Sequence, residues 1–143
     1  LAASSDFSPA MREIAGMMEF AVRGRFERGE DPSGKPWEPS QRARQQGGKT
    51  LVDTAALLSS IASDSDRFSA VVGTNLVYAA IHQQGGTIRP RPSSGKKALN
   101  TPFGPRGAVN MPARPFLGFG PYEVQEIETI LENHLRNAFE GKA

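Results

Sequence analysis

The 143-residue chain contains no cysteine. That removes disulfide staples, a thiol nucleophile and any zinc site built on thiolates, and it fits a reducing compartment. No apolar run approaches the ~20 residues that a membrane-spanning helix requires, so no membrane partner is expected. The opening Leu1-Ala-Ala-Ser-Ser5 has no basic segment leading into an apolar stretch, so no secretory leader is expected in these residues. Histidine is limited to His82 and His134, and neither stands at a metal-ligand spacing from the other or from the carboxylates. There is no Gly-x-Ser-x-Gly elbow and no glycine-rich phosphate loop. Gly118-Phe-Gly120 has the composition of a turn. Serine is abundant, so counting alone leaves a Ser-His-Asp set open. No cofactor is expected, and an enzyme is the weakest of the functional classes.

Acidic residues are missing from one long stretch. Between Arg67 and Tyr122 there is no Asp or Glu, while Arg67, Arg89, Arg91, Lys96, Lys97, Arg106 and Arg114 fall inside it. The rest of the chain then holds 10 Lys and Arg against 15 Asp and Glu. The middle is positive and the two ends together are negative. Three explanations stay open. Like subunits can meet head to tail, positive face to negative face. A positive lumen can face DNA phosphates. A basic loop can simply be solvated.

What is present suggests one domain of class α+β across residues 1–143. An apolar content of 38% with 15 Gly and 11 Pro suits a compact core with long irregular excursions. Ser8-Pro9 is a helix start, with Ser8 as the cap. Met11, Ile14, Met17, Met18, Ala21, Val22 and Phe26 then recur at helical spacing, predicting a long helix over 8–28 that stops before Gly29. Residues 29–50 have the composition of a loop, with turn chemistry at Asp31-Pro-Ser-Gly34. Trp37, the only Trp, plugs that loop onto the core or anchors a subunit interface. A second, short helix is predicted over 53–63, capped by Asp53 or Thr54, with Leu57, Leu58 and Ile61 as its apolar face.

From 66 to 118 the chain is β-rich. Arg67–Val72 has strand character, and Val77–His82 suits a short helix or turn. Thr87-Ile-Arg89 and Ala108-Val-Asn-Met111 suit an antiparallel pair in a small sheet. The connection would be an extended hairpin loop over 90–107. Its Pro90, Pro92, Pro102 and Pro105 are barred from a central ladder, which predicts a mobile tip. A C-terminal amphipathic helix is predicted over 121–140. Its face comprises Val124, Ile127, Ile130, Leu131, Leu135, Ala138 and Phe139, with Glu123, Glu126, Glu128 and Glu132 elsewhere around it. His134 lies beside that face as a packing residue. Phe26, Trp37, Leu57, Ile61, Ile127 and Leu131 are the candidate core anchors.

Two segments suggest assembly surfaces: Tyr78-Ala-Ala-Ile-His-Gln-Gln-Gly-Gly86 and Pro112-Ala-Arg-Pro-Phe-Leu-Gly118. Each has an apolar-aromatic anchor punctuated by Gly or Pro. His82 either binds a neighbour's backbone or caps a turn. The prolines flanking Arg114 fix an extended backbone, so its guanidinium projects in one direction. It can pair locally or with a neighbour. The candidate interface is therefore Arg114, Phe116, Leu117, Tyr78 and His82, received by Glu123, Glu126 or Glu128 of the acidic helix. Arg89, Arg91, Lys96, Lys97 and Arg106 form a candidate loop facing DNA or a protein partner.

Five pieces in order carry a resemblance that spans residues 11 to 139. They are Phe26 with Asp31-Pro-Ser-Gly-Lys-Pro-Trp37, then Lys49 and Leu51 ahead of Leu57 and Ser60-Ile61. Val72-Gly-Thr74 follows, then Tyr78-Ala-x-Ile-His-Gln-x-Gly-Gly86, and last Pro112-Ala-Arg-Pro-Phe-Leu-Gly118 before a final helix. In these the chain resembles the phage virion-morphogenesis family of Mu-like G proteins and S-type tail-completion proteins. The loop over 90–107 has no counterpart in that pattern. The resemblance implies a non-enzymatic virion protein, assembled in the host cytoplasm. It would be a small α+β subunit of a homo-oligomeric ring, often six-fold, at the tail terminus or the head–tail junction. Its implied partners are neck, connector or tail-tube proteins, with DNA crossing the lumen. The alternative from the residues themselves is a nucleic-acid-binding protein using the basic segment 87–114. Phe103 is its only aromatic, which argues against base stacking.

Overall fold

A computed structural model describes residues 6–47, 56–76, 78–89, 95, 99–101 and 104–141. The fold is α+β. Helix α1, Ser8–Arg28, is its axis. The helix begins without a side-chain cap from Ser8. Instead the Asp6 carboxylate accepts the Ser8 N–H at 3.0 Å, and that bond holds the Asp6 carboxyl below its ordinary pKa. Gly29 closes the helix in the left-handed region, φ 66°, and donates to Arg25 O at 2.7 Å.

The chain then makes a closed loop. Asp31 Oδ1 accepts from Ser33 N, Ser33 Oγ and Lys35 N at 2.6–2.9 Å. Trp37 N donates back to Gly29 O at 2.8 Å. The loop thus returns Trp37 to the end of α1, where its ring meets Phe26 edge-on at 5.6 Å. A short helix α2, Gln41–Gln46, follows with Ser40 as its cap. It lies inside the stretch predicted as loop. Among the described residues helix α3 is Ala56–Ser60, which ends three residues before the predicted 63, and the proposed caps Asp53 and Thr54 lie outside the described residues.

Strands β1, Ala62–Ser65, and β2, Ala70–Gly73, pair antiparallel, with Ala62 opposite Gly73 and Ser65 opposite Ala70. Arg67 and Phe68 are therefore at the hairpin tip and not in a strand. Asp66 makes the turn, its Oδ1 accepting Phe68 N and Ser69 N at 2.8 Å. Helix α4 is Ala79–Gln84, two residues later than predicted. Strand β3, Gly86–Ile88, pairs with β6, Val109–Met111, as the sequence implied. The connection between them is not structureless. It carries a second hairpin of β4, Leu99–Thr101, and β5, Gly104–Arg106. Pro105 is accommodated because a two-stranded hairpin has only edge strands. Its expected mobility concerns residues that lie largely outside the described ones. Helix α5, Pro121–Phe139, ends the fold.

Two apolar clusters hold α1. One joins Val22 and Phe26 to Trp37, Leu57, Ile61, Ala79 and Phe116. The other joins Ala10, Ile14 and Met18 to Ile130, with Ile127, Leu131, Ala70 and Val72 packed against it. The β1–β2 ribbon and α5 both pack on α1. No described helix is long and apolar enough to cross a membrane.

Candidate assembly surface

The Pro112–Gly118 segment was expected to face a neighbour, but the structure places it inside the subunit. Arg114 N donates to His82 O at 2.7 Å, and Arg114 Nε donates to Glu38 O at 2.7 Å. Trp37 Nε1 donates to Pro115 O at 2.9 Å. Gln83 grips both sides of the next two peptides. Its Oε1 accepts Phe116 N and Leu117 N at 3.0 Å, and its Nε2 donates to Leu117 O at 3.0 Å. Gly85 allows this approach. A Cβ there would lie 2.7 Å from Ala113 N, and its φ of 73° favours glycine.

Arg25 completes the segment's bonding. Its Nη1 donates to Phe116 O at 2.6 Å, and its Nη2 donates to Gly118 O at 2.9 Å and pairs with Glu123. Arg25 is 1% exposed and Glu123 7%. The pair ties α1, the extended segment and the first turn of α5 together. Gly120 seats that turn against the Asp31 loop, since a Cβ on it would come within 2.1 Å of Pro32 O.

These contacts redraw the candidate interface. Arg114 is 4% exposed, Phe116 is fully buried against Phe26, and Glu123 is paired with Arg25. Within the folded chain none of the three is presented to a neighbour. The prolines do fix an extended backbone, but its direction is inward. Leu117, His82 and Glu126 are half-buried, and Tyr78 is exposed with its ring edge-on to His82 at 5.9 Å. Burial, and then the charge of Arg114, hold the His82 pKa below its ordinary value. Among the described residues the buried His82 Nδ1 has no hydrogen-bond partner. Burial likewise lowers Arg114, opposed by Glu38.

Phe26, Trp37, Leu57 and Ile61 are buried, while Ile127 and Leu131 are half-buried against the second cluster. Arg89 is exposed at the end of β3, and Arg106 is the last residue of β5. Arg91, Lys96 and Lys97 lie outside the described residues. Among the described residues, no group of three or more His, Asp or Glu could hold a metal ion.

Several large apolar side chains stay on the surface. Phe20 is 80% exposed and Phe139 87%, and Phe68, Val71, Phe119, Tyr122 and Val124 are also exposed. Most of them border two grooves. One, about 550 Å³, runs between Phe20 and Met17 of α1, Pro32 and Tyr122. The other, about 520 Å³, has Ile14, Met18, Val72, Ile127 and Leu131 as its floor and Phe68, Val71 and Phe119 on its margin. The two share no lining residue.

The sequence did contain a signal for Arg25. It falls seven residues after Met18 and three after Val22, on the apolar stripe of α1, where an arginine needs a buried acceptor. The exposed aromatics left no such sign, because periodicity does not separate a buried apolar face from one awaiting a partner.

The phage virion morphogenesis family model matches residues 1–136. Mu-like prophage FluMu G protein 2 of Haemophilus influenzae is 38% identical over 134 residues, covering 94% of this chain and 82% of that protein. The putative capsid assembly protein G of Escherichia phage Mu is 33% identical over 127 residues, covering 81% of this chain and 71% of that protein. No solved structure gives a significant match. The chain belongs to the phage virion morphogenesis family and serves a structural or assembly role in a phage particle.

Proposed function

We propose that the chain is a non-enzymatic ring subunit at the tail terminus or head–tail junction of a tailed phage, assembled in the host cytoplasm. The ring is six-fold, meets neck, connector or tail-tube proteins, and surrounds the path of DNA. The observation that supports this reading is the pair of apolar grooves with no lining residue in common. Exposed aromatic side chains gathered at the edges of grooves, as Phe20, Tyr122, Phe68 and Phe119 are, suit contact with another protein surface. Two different patches on one subunit are what a head-to-tail contact uses, and such contacts close into rings when the rotation permits. The capsid-assembly name of the Mu relative agrees with a particle component.

Sedimentation of the purified chain together with negative-stain imaging tests the proposal. The expected result is a discrete oligomer with a central opening. Phe20→Ser and Phe119→Ser, both at exposed positions, should each reduce it to folded subunits. A species that remains monomeric at the highest soluble concentration would refute it.

A further inference from the structure

The second groove is lined by Phe68, Ser69, Ala70, Val71 and Val72 in unbroken succession. Successive residues of a strand point to opposite faces, so a groove that touches all of them runs along the strand's edge. That edge belongs to β2. Among the described residues β2 pairs only with β1, and no hydrogen bond from any other element reaches the backbone of Ala70–Gly73. An antiparallel strand bonded on one side directs the other half of its N–H and C=O groups away from that partner. Here they border a floor of Ile14 and Met18 from α1 and Ile127 and Leu131 from α5. The groove therefore offers backbone donors and acceptors along a four-residue strand, beside an apolar bed. What fits is an extended strand with apolar residues at alternate positions.

The complement is on the same chain. Strands β3 and β6 form a two-stranded ribbon, and among the described residues no third strand joins either edge. The ribbon packs extensively on no described helix and on no other strand. Two strands without a third, and without a helix beneath them, are marginally stable. One face of the ribbon is polar: Thr87 and Asn110 are exposed, and Thr87 Oγ1 donates to Asn110 Oδ1 at 2.8 Å. Strand β6 has the sequence Val109-Asn-Met111, apolar on either side of that asparagine. One ribbon lacks a bed, and one bed lacks a strand.

We propose that the β3–β6 ribbon of one copy adds, through β6, to the free edge of β2 in the next. With Asn110 beside Val71 on the outer face, alternation sets positions 109 and 111 over the α1–α5 floor. The product is a sheet in the order β1-β2-β6-β3, with a ribbon from each subunit and the helices of one beneath it. The occupant is a second copy because the open edge and the unsupported ribbon are two surfaces of one chain, and within the chain they do not pair. Each subunit gives a ribbon on one side and receives one on the other, which is the kind of head-to-tail contact that closes rings. The inference rests on the ring reading and names what fills one of its grooves.

The test uses the full-length chain, whose lack of cysteine makes introduced thiols unambiguous. Val71 and Asn110 are exposed and lie inside their strands, so either strand direction brings them close. The double variant Val71→Cys/Asn110→Cys, assembled and then oxidised, should give a ladder of linked subunits on a non-reducing gel. Each single variant should stay unlinked, and an equal mixture of the two should give linked pairs and nothing longer. Amide hydrogen exchange on the unaltered chain needs no substitution. Residues 70–73 should exchange on the order of ten-fold more slowly in the assembled form than in dilute subunits. Linked pairs from Val71→Cys alone would show that two β2 edges meet, and the proposal fails. Rings that form without a ladder, and with residues 70–73 exchanging as they do in subunits, would overturn this contact while leaving the ring standing. A chain that is monomeric throughout would remove both. Slow exchange at 70–73 in whole virions but not in rings of the chain alone would give the edge to a different virion protein, and the proposal is wrong.

Discussion

Replacing Arg25 with Met is the most demanding perturbation of this fold. The methionine keeps most of the volume and the unbranched stem, so packing around Phe26 changes little. What it removes is a cation that is 1% exposed and that meets three acceptors: Phe116 O, Gly118 O and the Glu123 carboxylate. Breaking a buried ion pair on one side costs about 3–5 kcal/mol, because the surviving charge is left desolvated. Total stability for a domain is about 5–15 kcal/mol, so the variant keeps at best a fraction of it. Near this size 1 kcal/mol corresponds to roughly 2–4 °C, which puts the expected loss in melting temperature at about 6–20 °C. Urea unfolding followed by Trp37 fluorescence and by far-UV circular dichroism measures it. The two probes should move together, since the pair joins the Trp37 cluster to both long helices. Glu123→Gln still offers Arg25 an acceptor and should cost less. In the double variant the two losses should be less than additive, as for groups in direct contact. If Arg25→Met lies within about 0.5 kcal/mol of the parent, as an ordinary surface substitution would, then the pair does not hold the extended segment and the account of that segment is wrong.

Trp37→Ala should cost about 3–5 kcal/mol in urea unfolding, since it removes both the edge-on contact with Phe26 and the bond to Pro115 O. Gly16 and Gly120 should respond oppositely to Ala. Gly16→Ala on the open face of α1, with nothing within 4 Å of the new Cβ, should raise stability by about 0.5–1 kcal/mol. Gly120→Ala should lower it by about 1–3 kcal/mol, because the methyl meets Pro32 O. His82 predicts a pH effect. Its folded pKa lies below the ordinary value of 6.5, so below that value the unfolded chain binds the extra proton first. Stability should therefore fall as pH drops through 6.5 and level off below the folded pKa. His82→Gln should flatten that part of a melting-temperature profile; an unchanged slope would assign it to other groups.

The two long helices were legible because each has a stripe at helical spacing, and they came out at 8–28 and 121–139. The β3–β6 pair was legible from its turn-flanked apolar residues. Strand β1 was not. Ala62-Ser-Asp-Ser65 has poor strand propensity and is held extended by pairing with Ala70–Gly73 and packing on α1, which is tertiary context. The second helix was overextended for the same reason, since Ile61 continues its apolar spacing but turns into β1. Hairpin β4–β5 was hidden by its prolines, which forbid a central ladder but not an edge.

The motifs that made the chain's family legible are bonded mainly to one another. Trp37 reaches Pro115, Gln83 reaches Phe116 and Leu117, and Arg114 reaches His82 and Glu38. Such a pattern can arise from internal bonding, because Trp37, Gln83 and Arg114 must each reach a fixed backbone group and the Gly and Pro residues beside those groups hold the backbone in place. Binding to a neighbour imposes a weaker demand, since an exposed Phe20 or Phe139 is satisfied by any apolar surface of suitable shape. The inner face of each element was thus readable as motif, and the outer face only as composition. That is why the acid-free middle and the glutamate-rich α5 carried information about assembly. With Arg114 and Glu123 engaged inside the subunit, the exposed charges among the described residues include Arg89 on one side and Glu128 and Glu132 on the other. Complementary charge placed there acts mainly on encounter rate and on register between subunits, while the exposed aromatics supply the buried area. High salt should accordingly slow assembly more than it loosens rings already formed.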